Sequence, residues 1–368
     1  MAKTVMILGA GFSVGTQLPI QNNLLQDIDT FVAGSGNADL KIQWKRFTIF
    51  FKNNIGATLG SYLIEDLFTI FDNCLLENEQ FRGRSLRIID KANQALLYTM
   101  RDFLIHTIDA NYRSQIGSFK KYSQLALELL KLRKKFDKED KMSIISLNWD
   151  NYFEKMLTYR ISTHNALYKN VSLDYCTYDY NFSYQKNSHP SILKKAYGKT
   201  NFKILKPHGS VNWGYCSNCG RLYISYGKKI AQEFECTKYC NKTYSRQVGL
   251  SPLMITPTYL KDLSNSHLKN IWSNASIELA EADKLVFIGY SLRPEDFYFR
   301  YMLAKHFKTN ADIKVHDYTS STDPAEIDVY KRQVQNKFAG FFQKATGVEA
   351  FVDGWESNIS DIIRFIDN

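Results

Sequence analysis

Four of the six cysteines fall in two close pairs, Cys216-Ser217-Asn218-Cys219 and Cys236-Thr237-Lys238-Tyr239-Cys240. Two thiolate pairs separated by a short insert, residues 220–235, have the spacing of a closed structural zinc site more than that of a disulfide framework. Gly220 behind the second cysteine permits the positive φ that turns backbone N–H groups toward sulfur. With thiolates at all four corners no coordination position stays open, so the Zn2+ has no catalytic role. The second pair has a three-residue spacer where two residues are usual, and four buried free thiols satisfy the same residues.

A histidine, an amide and a carboxylate form the next group. The imidazole of His208 can exchange a proton near neutral pH, and Gly209 beside it leaves room for a substrate. A lone histidine serves as an ordinary structural residue just as well. Ser146-Leu147-Asn148-Trp149-Asp150 places polar side chains where an apolar run stops, which is where open α/β sheets bind ligands. Asn148 and Asp150 are equally suited to cap the helix-like pattern that begins at Asn151-Tyr152-Phe153-Glu154.

Two glycine turns complete the set. Gly9-Ala10-Gly11-Phe12-Ser13-Val14-Gly15 follows a short apolar run, and such a turn lets backbone N–H groups at a helix start approach a pyrophosphate. Its third glycine is displaced to Gly15, and Asp27 and Asp29 lie in or beyond the first helix, where neither is placed to hold a ribose. A tight turn without a ligand fits too. Gly289-Tyr290-Ser291 follows Leu285-Val286-Phe287-Ile288 and offers a further glycine and hydroxyl.

The elements that must carry these groups are strands ending at one edge. Strand-like runs occur at Lys3 to Leu8, Ser143 to Leu147, Phe202 to Leu205, Leu253 to Ile255, Lys284 to Ile288, Asp312 to Val315 and Val348 to Val352. Several are separated by helical patterns, which predicts an α/β fold with a doubly wound, Rossmann-like, mostly parallel sheet. From about Asn22 to Phe136 long amphipathic stretches dominate, including Ser61 to Cys74, Leu86 to Asp109 and Phe119 to Leu132, and predict a helical insertion. Tyr168 to Ser188 has no periodicity and reads as a long loop or lid. The expected division is a discontinuous sheet domain over 1–21, 140–213 and 250–368, a helical insertion over 22–139 and a zinc ribbon over 214–249.

The bulk properties are those of an ordinary soluble chain: 368 residues, 44% hydrophobic, with no run near the roughly 18 apolar residues a bilayer span needs. The apolar start Val5 to Leu8 runs into glycines instead of a signal-peptide core, so no membrane contact and a cytoplasmic, reducing location are expected. A net charge of +10 suits an anionic ligand, but the basic residues are scattered. The densest cluster, Lys131 to Lys141, is broken by acids and reads as a solvated helix end, so direct binding of nucleic acid is not expected. The aromatic-rich insertion offers more apolar surface than the sheet needs, which predicts a homo-oligomer.

Taken in order, these segments resemble the sirtuin family: Gly-Ala-Gly-x-Ser, Asn-x-Asp after a strand, His-Gly, a four-cysteine ribbon soon after that histidine, then Gly-x-Ser. His208-Gly209-Ser210-Val211 followed by Cys216 is especially sirtuin-like, and the match runs discontinuously from Met1 to about Tyr318. The resemblance implies NAD bound in a cleft between a Rossmann domain and a zinc-bearing small domain. Where deacylating sirtuins carry a Phe-Arg pair, this chain reads Pro19-Ile20-Gln21-Asn22. The helical insertion, Ile255-Thr256-Pro257-Thr258 and Asp296-Phe297-Tyr298-Phe299-Arg300-Tyr301 look instead like the sirtuin-like NAD hydrolases of bacterial antiphage defence, which implies a partner such as a HerA-like ATPase. On that resemblance Asn148 orients a water at the ribose anomeric carbon, His208 is the general base and Asp150 helps place the ribose. Gly9, Ala10, Gly11, Ser13, Gly289 and Ser291 hold the diphosphate and ribose. An NAD-dependent protein deacylase, or a non-catalytic module binding NAD or nucleic acid, are the alternative expectations.

Overall fold

Val5, Ile7 and the rest of the first apolar run are buried on both sides, which is the condition for a central strand of a parallel sheet. The computed structural model describes residues 2–18, 23–56, 58–115, 117–137, 139–168, 170–177, 180–182, 200–224, 236, 240, 249–256 and 263–368. Its strands are β1 Thr4–Leu8, β2 Met142–Ser146, β3 Val171–Asp174, β4 Tyr180–Phe182, β5 Thr200–Leu205, β6 Gly209–Tyr215, β7 Leu222–Ile224, β8 Ser251–Met254, β9 Lys284–Ile288, β10 Asp312–His316 and β11 Gly347–Phe351.

Seven of these form a parallel sheet in the order β11-β10-β9-β1-β2-β5-β3. The chain moves outward from β1 on one side, then returns to lay β9 against its other side and moves outward again. Leu8 therefore stands in register with both Ser146 of β2 and Ile288 of β9. The fold is the expected doubly wound, Rossmann-like one, and its reversal of strand order opens a crevice at the carboxyl ends of β1, β2 and β9.

The run at Leu253 to Ile255 does not join that sheet. It forms β8 in a second sheet, ordered β4-β7-β6-β8, with β6 antiparallel to both β7 and β8. β8 opens with Ser251, which is exposed, and Pro252, which has no N–H to donate to a ladder, and such a strand suits the edge of a sheet, where β8 lies. In the stretch expected to be a loop, Val171–Asp174 is instead the strand β3, which among the described residues pairs only with β5, and Tyr180–Phe182 is β4. Residues 169, 178–179 and 183–188 of that stretch lie outside the described residues, as do Pro19 to Asn22 and Pro257-Thr258.

The insertion is helical: Leu24–Gly34, Ala38–Asn54, Ile64–Leu76, Leu86–Ser114 and Phe119–Lys135. Asn37 starts the second of these by accepting the N–H groups of Asp39 and Leu40, and Leu40, Trp44, Phe47 and Phe51 repeat on its buried face. Arg101, in the long helix, is 1% exposed and donates from Nε to the Val211 carbonyl at 2.7 Å, joining the insertion to β6. The basic cluster after Lys131 is not all solvated. Arg133 is buried and donates to the carbonyls of Phe136 and Asn201, both at 2.6 Å, closing the helix end against β5. Among the described residues, no helix is long and apolar enough to cross a membrane.

Candidate active site

At the carboxyl edge of the sheet, the turn after β1 is made by backbone packing against the turn after β9. A Cβ on Gly9 would lie 2.5 Å from the Gly289 carbonyl oxygen, and one on Gly11 would lie 2.7 Å from the Gly289 Cα. Gly289 has φ +61° and is itself pressed on Gly11 and Phe12. The N–H of Gly9 donates to Ile288 and that of Gly11 to Gly289, at 3.0 and 2.9 Å. What demands glycine here is thus the approach of one loop to the other. Phe12 anchors the turn from below: it is 2% exposed, packs on Phe153 and Trp355, and its carbonyl accepts the hydroxyl of Tyr122.

The loop after β2 is tied to this turn by side chains. Asn148 Nδ2 donates to the Gly9 carbonyl at 2.8 Å and to Ser13 Oγ at 3.0 Å. A carbonyl can only accept, so the amide orientation is settled, and Oδ1 is the atom Asn148 has left to offer. Ser13 Oγ donates onward to Asp150 Oδ2 at 2.8 Å, while Asp150 Oδ1 accepts the N–H of Tyr152 at 3.0 Å. The N-cap of the helix Tyr152–Thr163 is Asn151, without a side-chain cap bond, while Asp150 accepts the first helical N–H with one oxygen and faces the first turn with the other.

His208 follows β5, and its Nδ1 lies 3.2 Å from the Leu147 carbonyl. Since that oxygen needs a donor, a neutral ring carries its proton on Nδ1 and presents Nε2 as an acceptor. Lys206, two residues earlier, is 0% exposed at its side chain and bonds Glu154 at 2.7 Å and the Asp150 carbonyl at 2.5 Å. Burial pushes the Glu154 carboxyl up in pKa, with Lys206 pulling against it. The ion pair fixes the end of β5 relative to the Asn148–Asp150 loop.

These loops enclose one cavity of about 500 Å³, within the range of small-molecule sites. Gly9, Ala10, Gly11, Ser13, Asn148, Asp150, His208, Gly289 and Ser291, all singled out from sequence, line it together. Thr256 and Asp296, named from sequence only within the resemblance, line it too, whereas sequence reasoning did not find Glu65, Arg293, Glu295 or Asp317, which are also in the lining. Asp317 directly follows β10 and obeys the same rule as Asn148, so its signal was present; Tyr330 donates to it at 3.0 Å. Glu65 sits in the first turn of a helix, where an acid reads as a partner for the helix dipole and gives no sign of a site. Among the described residues the lining carries the carboxylates of Glu65, Asp150, Glu295, Asp296 and Asp317 against the single guanidinium of Arg293.

Cys216, Cys219, Cys236 and Cys240 gather at a separate place, with all four sulfurs within 4.8 Å of one another. Tetrahedral zinc with Zn–S bonds of ~2.3 Å sets its sulfurs ~3.8 Å apart. The Cys216–Cys240 and Cys219–Cys236 separations of 3.7 and 3.4 Å fit that shell. Asn218 Nδ2 donates to the Cys240 sulfur at 3.2 Å, the outer support a thiolate ligand needs. His267 Nε2, 2.7 Å from the Gly220 carbonyl, moors this module to the helix Ser266–Glu281.

No family model matches the chain, and no curated protein matches it. Among solved structures, a mutant Sir2 homologue in complex with 2'-O-acetyl-ADP-ribose is similar at 10% identity and a TM-score of 0.45, over 99% of this chain and 91% of that one. A second mutant Sir2 homologue, with ADP-ribose, is 11% identical with a TM-score of 0.45 over 99% and 92%. A Sir2 homologue with NAD is 12% identical with a TM-score of 0.44 over 99% and 90%. Likenesses this weak decide nothing about the chemistry of this chain.

Proposed function

We propose that the chain is a sirtuin-like NAD hydrolase, converting NAD and water to nicotinamide, ADP-ribose and a proton. The observation that carries this reading is that Asn148, its amide oriented by Gly9 and Ser13, and His208, its Nδ1 against the Leu147 carbonyl, line one cavity. A water held by the amide oxygen is aimed at the anomeric carbon as nicotinamide leaves, and the imidazole takes its proton directly or through a ribose hydroxyl. Asp150 and the other lining carboxylates favour the positive charge that develops on the ribose as the glycosidic bond breaks. The backbone of Gly9 to Ser13, with Gly289 and Ser291, holds the diphosphate and ribose.

On the sequence resemblance, this activity belongs to antiphage defence by NAD depletion. Resting turnover is then low, and is raised by self-assembly, built partly through residues between about Asn22 and Phe136, by a ligand or by a partner such as a HerA-like ATPase. The four-cysteine module binds structural zinc. Incubation of the purified protein with NAD and no acylated peptide, with resolution of the products, tests the reading. Nicotinamide and ADP-ribose in equal amounts support it, and a strict requirement for an acetylated peptide replaces it with deacylation.

A further inference from the structure

Glu65 is 7% exposed and borders the cavity, and among the described residues its Oε2 has no hydrogen-bond partner. Its carboxylate is engaged by its own backbone N–H, and Oε2 is the oxygen left over. A buried carboxylate oxygen left unsatisfied costs stability, and a leucine at this position avoids that cost. Such an arrangement persists where an occupant completes it.

The helix is held so that Glu65 faces the cavity. Asp72, two turns on and on the same side, accepts the hydroxyl of Thr256 at 3.0 Å, and Thr256 is itself a lining residue. Leu67, Phe68 and Phe71 between them are fully buried, which fixes the rotation of the helix. We infer that Glu65, although it belongs to the insertion and not to the sheet domain, is a ligand-binding residue that accepts a hydrogen bond from an uncharged N–H or O–H donor of the bound molecule. This rests on the dinucleotide reading of the cavity.

The surroundings select the donor's chemistry. Burial is the largest influence and raises the pKa of Glu65; its own backbone N–H and Arg293 pull it down, and Asp66 and Glu295 push it up. A phosphate is disfavoured beside Glu65, Glu295 and Asp296. A metal ion is disfavoured as well, because among the described residues only the cysteine cluster gathers three or more ligand atoms closely enough. What remains is an amide, an amine or a sugar hydroxyl. Nicotinamide supplies the first, and ADP-ribose supplies the other two.

Calorimetric titration of the full chain with ADP-ribose and, separately, with nicotinamide identifies which half carries the donor. Glu65→Ala is expected to weaken that half about tenfold, the scale of one hydrogen bond to a charged group. Glu65→Gln, which keeps an acceptor, is expected to stay within about threefold, and the ligand-free protein to melt no lower in either variant. Unchanged or tighter binding of both halves by Glu65→Ala overturns the inference alone. Equal weakening in both variants together with a lower melting temperature marks a structural residue and also overturns it. If the unaltered protein binds neither half nor NAD, the dinucleotide reading fails and the inference fails with it.

Discussion

The hydroxyl of Ser13 donates to Oδ2 of Asp150 at 2.8 Å, joining the turn after β1 to the loop after β2. The same oxygen accepts from Asn148 at 3.0 Å, so one hydroxyl orders both polar residues of the second loop. Ser13→Ala is expected to leave the fold intact and lower kcat for nicotinamide release about tenfold, with a smaller change in KM. Ser13→Thr, which retains the hydroxyl, should recover most of the loss. Normal kcat in Ser13→Ala would remove this link from the mechanism.

Asn148→Ala and His208→Ala each delete an acceptor from the cavity. Turnover of NAD should fall about a hundredfold or more in each, the scale of losing a positioned acid–base or electrostatic group. Circular dichroism should be unaltered. Near-normal turnover in both folded variants would place the chemistry elsewhere.

The Lys206–Glu154 pair separates positioning from stability. Lys206→Met strands a buried carboxylate and should destabilise the protein by about 3–5 kcal/mol. Adding Glu154→Leu replaces the pair with apolar groups and should restore most of the melting temperature. Turnover should remain depressed in the double variant, because the Asp150 carbonyl loses its Lys206 donor. Recovery of activity along with stability would show that the pair only supports the fold.

One zinc ion per chain is expected by elemental analysis of freshly purified protein. Cys236→Ser, or a strong chelator, should lower the melting temperature before it alters the chemistry, since a closed thiolate shell contributes folding free energy. Metal-free protein of unchanged stability would contradict this.

Asp102, in the helix Leu86–Ser114, has its carboxyl pushed up to about 6 from 3.8, chiefly by burial, with Arg101 opposing. A raised carboxyl pKa means that the native state holds a proton the unfolded chain has released. Its contribution is fully present below about pH 4 and is lost as pH rises through about 6. Asp102→Asn should therefore be more stable than the unaltered protein at pH 7, by at most ~3 kcal/mol, with the gain shrinking toward pH 4. Urea unfolding across that range tests it, and a gain independent of pH would rule out this titration.

Sequence alone determined where the polar groups leave the sheet. Asn148, His208, Gly289 and the Gly9 turn each follow a short apolar run, and runs covered on both faces can become only strands whose carboxyl ends face a common crevice. The thiolate spacing likewise carries its own geometry, since close cysteines need little of the rest of the fold to meet. Tertiary structure decided what no local pattern encodes. Gly11 is required by Gly289, 278 positions away (289 − 11), and Lys206 finds Glu154 across two elements. Glu65 enters the cavity only because its helix is docked by Asp72 and a buried apolar face. The run Leu253 to Ile255 is as apolar and as buried as a central strand, yet it pairs with β6 in the second sheet. Periodicity reports which side of an element is buried, and the partner that buries it is settled only when the whole chain packs.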